Sequence, residues 1–174
     1  KEKHVRTIIT ALQMGGMVLD RSTPVGSVYM NLKDRMRFPD WVVVIKCLTV
    51  FHHIFHEGNE GFVNHFAAEE RATVDVRRVM ETNVRQSRFA PFARSYSQHL
   101  LQWCAMKHAI QFPPRKVVGN DHEIFVMARY AALGPRGIFR ELPILLDTMD
   151  VLIQVRLQEG LMRTMFGPSV RMLI

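Results

Sequence analysis

Apolar residues recur along this chain at helical spacing from its first positions onward. In KEKHVRTIITALQ, Val5, Ile8, Ile9 and Leu12 fall at i, i+3, i+4 and i+7, the buried stripe of an amphipathic helix. The stretches MGGM and DRSTPVGS, with Gly15, Gly16, Pro24 and Gly26, break that course and predict a turn. A short helix is expected from Ser27 to about Met36. Asp40 is a good N-cap for a longer one, in which Trp41, Val44, Ile45, Leu48, Phe51 and Phe55 make a wide stripe and Gly58 supplies the stop. Asn59 can cap a further short helix that carries Phe62, Val63 and Phe66.

Residues 69–88 are rich in Arg and Glu and only weakly periodic, which predicts one exposed short helix between loops. From Phe89 the segment FAPFARSYSQHLLQWCAMKHAI regains a helical period through Phe92, Tyr96, His99, Leu100 and Trp103, and it ends at FPPR. Pro, Gly and Asn punctuate residues 113–137, with HEIFVMARYAAL as a helix inside them. In IFRELPILLDTMDVLIQVRL, Ile138, Leu142, Leu145, Met149 and Leu152 are spaced by fours and threes, with Pro143 either near the first turn or at a kink. Pro168 to Ile174 reads as the opening turns of another helix. The expected fold class is therefore all-α, with about seven or more helices stacked as a bundle or a short solenoid and no fixed repeat period.

Composition narrows the class. At 174 residues, 48% hydrophobic and 22% charged, the chain fits one globular domain with a real core. Its 23 Lys and Arg against 16 Asp and Glu give a net charge of +7, which suits acidic partners such as an anionic membrane surface or nucleic acid. Cys47 and Cys104 each sit inside an apolar helical pattern and read as free, buried thiols of a reducing compartment. The most apolar run, WVVVIKCLTVFHHIF, is interrupted by Lys46 and falls short of the about 20 clean positions of a membrane span, so any membrane contact is peripheral. No signal peptide is visible.

Catalytic signals are sparse. HHIFHEGNE places His52, His53 and His56 with Glu57 at one helix end, but without the HExxH order in which a Glu sits between two ligands, so no metal is expected. There is no CxxC, GxSxG, GxxxxGK[ST] or GxGxxG, so serine-hydrolase, P-loop and Rossmann chemistry have no foothold. No catalytic residue and no cofactor is expected, and the chain does not read as an enzyme. The opening KEKH is the exception to an otherwise bland surface. Acidic residues are favoured at a helix start, yet Lys1, Lys3 and Arg6 outnumber Glu2 there. Either the cations are placed to hold an anion such as phosphate, or the helix begins upstream.

The opening KEKH, the block DWVVVIKCLTVFHHIFHEGNEGFVNHFA, the segment FARSYSQHLLQW and the run ELPILLDTMDVLIQ resemble, in that order and at similar separations, the ANTH domain of the AP180/CALM group of clathrin adaptors. The resemblance runs from Lys1 to about Gln154 and is weak only around residues 70–88 and 112–137. It implies an α-helical superhelix that binds phosphatidylinositol 4,5-bisphosphate and supports clathrin-coated vesicle formation at the plasma membrane, on its cytoplasmic side. The family's lipid motif is a Lys, nine spacer residues, then Lys, any residue, Lys or Arg, and His or Tyr. KEKH matches the second half, so Lys1, Lys3 and His4 carry over as the phosphoinositide-binding residues. The motif's first Lys would fall ten residues before Lys1. On this resemblance residues 1–174 form a single ANTH-like domain that lacks the family's first helix and is truncated in its C-terminal helices.

The same resemblance implies clathrin and adaptor complexes as partners, reached through regions outside this chain, and a vesicle SNARE helix held in a hydrophobic groove. Two other classes compete. A helical protein-docking scaffold, like the related ENTH and VHS domains, would stack the same helices without specific lipid binding. A nucleic-acid binder would need a dense basic face with stacking aromatics, whereas the arginines at 77, 78, 85, 88, 115 and 129 are scattered, so no nucleic acid is expected.

Overall fold

The computed structural model describes residues 2–14, 22–77, 89–110 and 120–155. Six α-helices occur among them: α1 (Glu2–Met14), α2 (Pro24–Arg35), α3 (Trp41–Glu57), α4 (Glu60–His65), α5 (Ala90–Ala109) and α6 (Asn120–Ile153). No strand occurs among the described residues. The expected fold class therefore holds, and α6 contributes two helical halves.

Local chemistry sets the helix starts. Thr23 Oγ1 accepts from the Gly26 N–H at 3.0 Å and Pro24 occupies the first helical position, so α2 begins three residues before the expected Ser27. Pro24 was expected to break the chain. Its missing N–H is harmless in a first turn and its φ is already helical, so it opens the helix instead. Asp40 caps α3 as expected, accepting from Val42 N at 2.8 Å and Val43 N at 3.2 Å. Asn59 does the same for α4 through Gly61 N at 2.8 Å. Asp40→Ala is expected to cost about 1 kcal/mol, the usual value of a lost cap, seen as a lower urea midpoint with an unchanged slope.

Every residue of the α3 stripe is buried, and α3 packs on α1, α2 and α5. Phe66 is the hub of an aromatic cluster. Its ring centroid lies 4.9 Å from Phe55, 5.3 Å from Phe51, 6.1 Å from Tyr29 and 6.2 Å from Phe62. On the α5 side Phe55 stacks on Trp103 at 5.2 Å.

The exposed short helix expected within residues 69–88 is replaced, over its described part, by a π turn (Phe66–Glu70) running into a 3-10 turn (Arg71–Val74), with Val74 and Val76 buried. Residues 78–88 lie outside the described residues. Side chains fix this path. Tyr29 Oη and, at 2.9 Å, Lys33 Nζ donate to Glu70 Oε2, tying the π turn to α2. Burial opposes ionisation of Glu70, but the hydrogen bonds from Tyr29 and Lys33 outweigh it and hold the carboxyl below its usual range. Ser97 Oγ donates to Val74 O at 2.6 Å and accepts from Val76 N, tying the following turn to α5.

α6 is broken at Gly134, whose φ of 63° and ψ of 179° belong to glycine alone, and Pro135 opens the second half. A Cβ at Gly137 would stand 2.8 Å from Leu133 Cδ2, so the chain folds back closely there. Arg129 grips Glu141 through two parallel bonds of 2.9 Å. Twelve residues of continuous helix would separate them by about 18 Å, so the fork is possible only because the break brings the two halves together. Pro143 lies inside the second half rather than in its first turn. The spacing of Ile138, Leu142, Leu145, Met149 and Leu152 is helical, but among the described residues all of them except the half-buried Leu145 are exposed, Met149 at 58%, as is Phe139 beside them at 74%. The segment from Pro168 to Ile174 lies outside the described residues.

Candidate functional site

The start of α1 is held by its own apolar face. Ile9 and Leu12 are buried, and α1 packs on both α2 and α3. Lys3 and His4 stand in the first turn and are exposed, as is Arg6 one residue beyond Val5. Thr7 Oγ1 donates to Lys3 O at 2.9 Å, fixing the backbone that carries the lysine. Neither Lys3 nor His4 has a side-chain partner among the described residues, so both can reach an external anion. Lys1 lies outside the described residues. Of the three expected site residues, Lys3 and His4 therefore share an exposed helix start beside its orphan N–H groups.

Two cations that the motif does not contain stand at the end of α2. Arg35 and Arg37 are exposed, and Phe38 next to them is 55% exposed. α2 runs into α3 through residues 36–40 alone. Among the described residues α1, α2 and α3 all pack on one another. Arg94, in the first turns of α5, sits over the Trp41 ring at 5.7 Å, by the start of α3. The signal available in the sequence was RMRFPD, a basic and aromatic run just before a cap.

The chain matches the ANTH domain family over residues 1–164. It belongs to that family. No curated protein matches it. ANTH domains are membrane-associated endocytic adaptor domains that as a family bind phosphoinositides and endocytic partners. In this ANTH domain no helix of the described residues is long and apolar enough to cross a membrane, which is compatible with a peripheral attachment.

The histidine block of this ANTH domain is not one feature but two. His53 Nδ1 lies 3.0 Å from Glu57 Oε1, and His56 belongs to the last turn of α3, where a cation suits the helix dipole. His52 instead faces α5. Its ring lies 4.5 Å from His56, 5.9 Å from Tyr96 and 6.4 Å from His99. The Nδ1 atoms of His52 and His99 are buried without a hydrogen-bond partner. Burial, then the charges of His56, His99 and His53, push His52 down to about 3, and burial lowers His99 as well. Among the described residues no group of three or more His, Cys, Asp or Glu is arranged to hold a metal ion.

Proposed function

We propose that this ANTH domain binds the phosphatidylinositol 4,5-bisphosphate headgroup at the start of α1, with Lys1 and Lys3 as cationic donors and His4 as the imidazole contact, and that it acts as a non-enzymatic recruitment domain of a clathrin adaptor. The observation that carries the reading is the exposed, unpartnered pair Lys3 and His4 at a helix start, in the order of the family's lipid motif. The reading places the protein on the cytoplasmic face of plasma-membrane coated pits. Clathrin and adaptor complexes would be engaged by regions outside the chain, and a vesicle SNARE helix is a further partner of the same assembly.

Magnitudes decide how such a site must work. A basic residue near an anionic leaflet contributes roughly 1 kcal/mol, so three give about 3 kcal/mol, less than the roughly 4 kcal/mol of millimolar binding. Charge-assisted hydrogen bonds to the phosphates, on the order of 1.5 to 3 kcal/mol each, supply the rest and the specificity. A second attachment through clathrin or adaptor then makes recruitment stable.

The test is co-sedimentation with neutral, phosphatidylserine and phosphatidylinositol 4,5-bisphosphate vesicles at physiological salt, with wild type beside Lys1→Glu, Lys3→Glu. Binding that needs the phosphoinositide and falls at least about tenfold in the double variant, roughly 1.4 kcal/mol, is the expected result. Equal binding of the variant would move the site elsewhere. No binding of wild type to any vesicle would leave the docking-scaffold reading in its place.

A further inference from the structure

The turn between α2 and α3 offers the membrane something that the start of α1 does not. Phe51, Phe55, Phe62, Phe66, Phe89 and Phe92 are all buried, whereas Phe38 is 55% exposed and Phe139, on the open face of α6, 74%. The exposure does not come from a loose loop. Met36 N donates to Leu32 O at 2.9 Å, Arg37 N to Asp34 O at 3.2 Å and Phe38 N to Arg35 O at 3.1 Å. Met36 before the ring and Trp41 after it are both buried, and Asp40 is engaged in capping α3. The ring is thus held outward on a fixed turn.

Its neighbours have the chemistry of a lipid interface. Arg35 and Arg37, three and one positions before Phe38, are exposed and form no side-chain ion pair among the described residues, and the charge of Arg35 also reaches the Cys47 thiol. Asp34 on the same turn is exposed and subtracts one charge, leaving the tip cationic. One aromatic ring framed by arginines is far too small for a protein partner, which needs roughly 800 Å² on each side. It is well suited to a bilayer surface, where a single ring enters the boundary between headgroups and acyl chains while guanidinium groups stay with the phosphates.

We propose that the Arg35–Arg37–Phe38 turn is an interfacial anchor: Phe38 inserts into an anionic leaflet and Arg35 and Arg37 contact lipid phosphates of the same leaflet whose headgroup the start of α1 holds. The inference rests on the membrane reading given under the proposed function, and it adds bilayer contact to headgroup recognition. Two attachments on one domain act together, so the loss of either weakens binding to vesicles. Only the α1 site is needed for the soluble headgroup.

The experiment compares wild type, Phe38→Ser, Phe38→Trp and Arg35→Gln, Arg37→Gln on the full 174-residue chain. Binding is measured to phosphatidylinositol 4,5-bisphosphate vesicles and to soluble inositol 1,4,5-trisphosphate. Phe38→Ser is expected to lose about five- to tenfold in vesicle affinity with unchanged binding of the soluble headgroup. Phe38→Trp is expected to keep vesicle affinity and to gain emission quenched by lipids brominated near the glycerol backbone. The arginine variant is expected to lose vesicle affinity at every anionic composition. Vesicle binding by Phe38→Ser equal to wild type would overturn the anchor and leave the α1 site standing. Parallel loss of the soluble headgroup would also overturn it, since the ring would then serve the headgroup. Failure of wild type on all anionic vesicles would overturn both readings. Equal melting temperatures for Phe38→Ser and wild type check that the fold is intact.

Discussion

Phe66→Ala is expected to lower the unfolding free energy by about 3 to 5 kcal/mol, and with it the melting temperature by roughly 10 °C. The ring is fully buried and touches rings from α2, α3 and α4 at centroid distances of 4.9 to 6.2 Å. Truncation leaves a cavity whose walls are other aromatic rings, which cannot collapse into it without leaving their own contacts. Edge and tilted aromatic pairs add about 0.5 to 1.5 kcal/mol each beyond area burial. Phe66 also opens the π turn, so its loss loosens the segment that Glu70 ties to α2. Thermal unfolding followed by far-ultraviolet circular dichroism checks the expectation, and a shift under about 3 °C would contradict the hub assignment. Phe38→Ser removes the same kind of ring from the surface and is expected to leave the melting temperature unchanged.

The second large effect is acid sensitivity. His99 is buried and His52 half-buried, with both Nδ1 atoms buried and unpartnered, and burial lowers both in the folded state. In the unfolded chain each titrates near 6.5. Between that value and about 3 the unfolded chain binds a proton at His52 that the folded protein excludes, so stability is full above pH 6.5 and falls as pH drops. At pH 5 the His52 contribution alone is about 2 kcal/mol, and His99 acts in the same direction. The charged and titratable groups around His52 are His53, His56 and His99 with the Tyr96 phenol, none of which supplies a compensating negative charge. Urea unfolding at pH 7.5 and pH 5 measures the difference. His52→Gln is expected to flatten the profile, and an unchanged profile in that variant would place the proton elsewhere.

The legible parts of the fold were those with strong period and explicit punctuation. The α3 stripe from Trp41 to Phe55 and the caps at Asp40 and Asn59 follow from residue spacing and short-range hydrogen bonding, and both are where the spacing puts them. Pro24 reads as a breaker because proline breaks a helix interior, but behind the Thr23 cap it opens a helix start. Residues 66–76 were unreadable because their path is set by side chains more than 20 positions away: Tyr29, Lys33 and Ser97. The exposed face on the second half of α6 has the period of a covered one, since period reports helical geometry and not what stands opposite. At the candidate site the motif gave Lys3 and His4, but it says nothing of Arg35, Arg37 and Phe38, whose exposure is set by the turn between α2 and α3.

Both cysteines lie in the core, Cys47 on α3 and Cys104 on α5, and burial pushes their thiols up to about 11 and about 12. Thiolate is the reactive form, so at neutral pH neither thiol competes for an alkylating or maleimide reagent while the fold is intact. The 174-residue chain holds no other cysteine. Its surface is in effect already thiol-free. One cysteine installed at the tip of the α2–α3 turn, or in the first turn of α1, would be the sole target of a fluorophore or spin label. The orientation of the domain on a bilayer can then be read by depth-dependent quenching without first rebuilding the core.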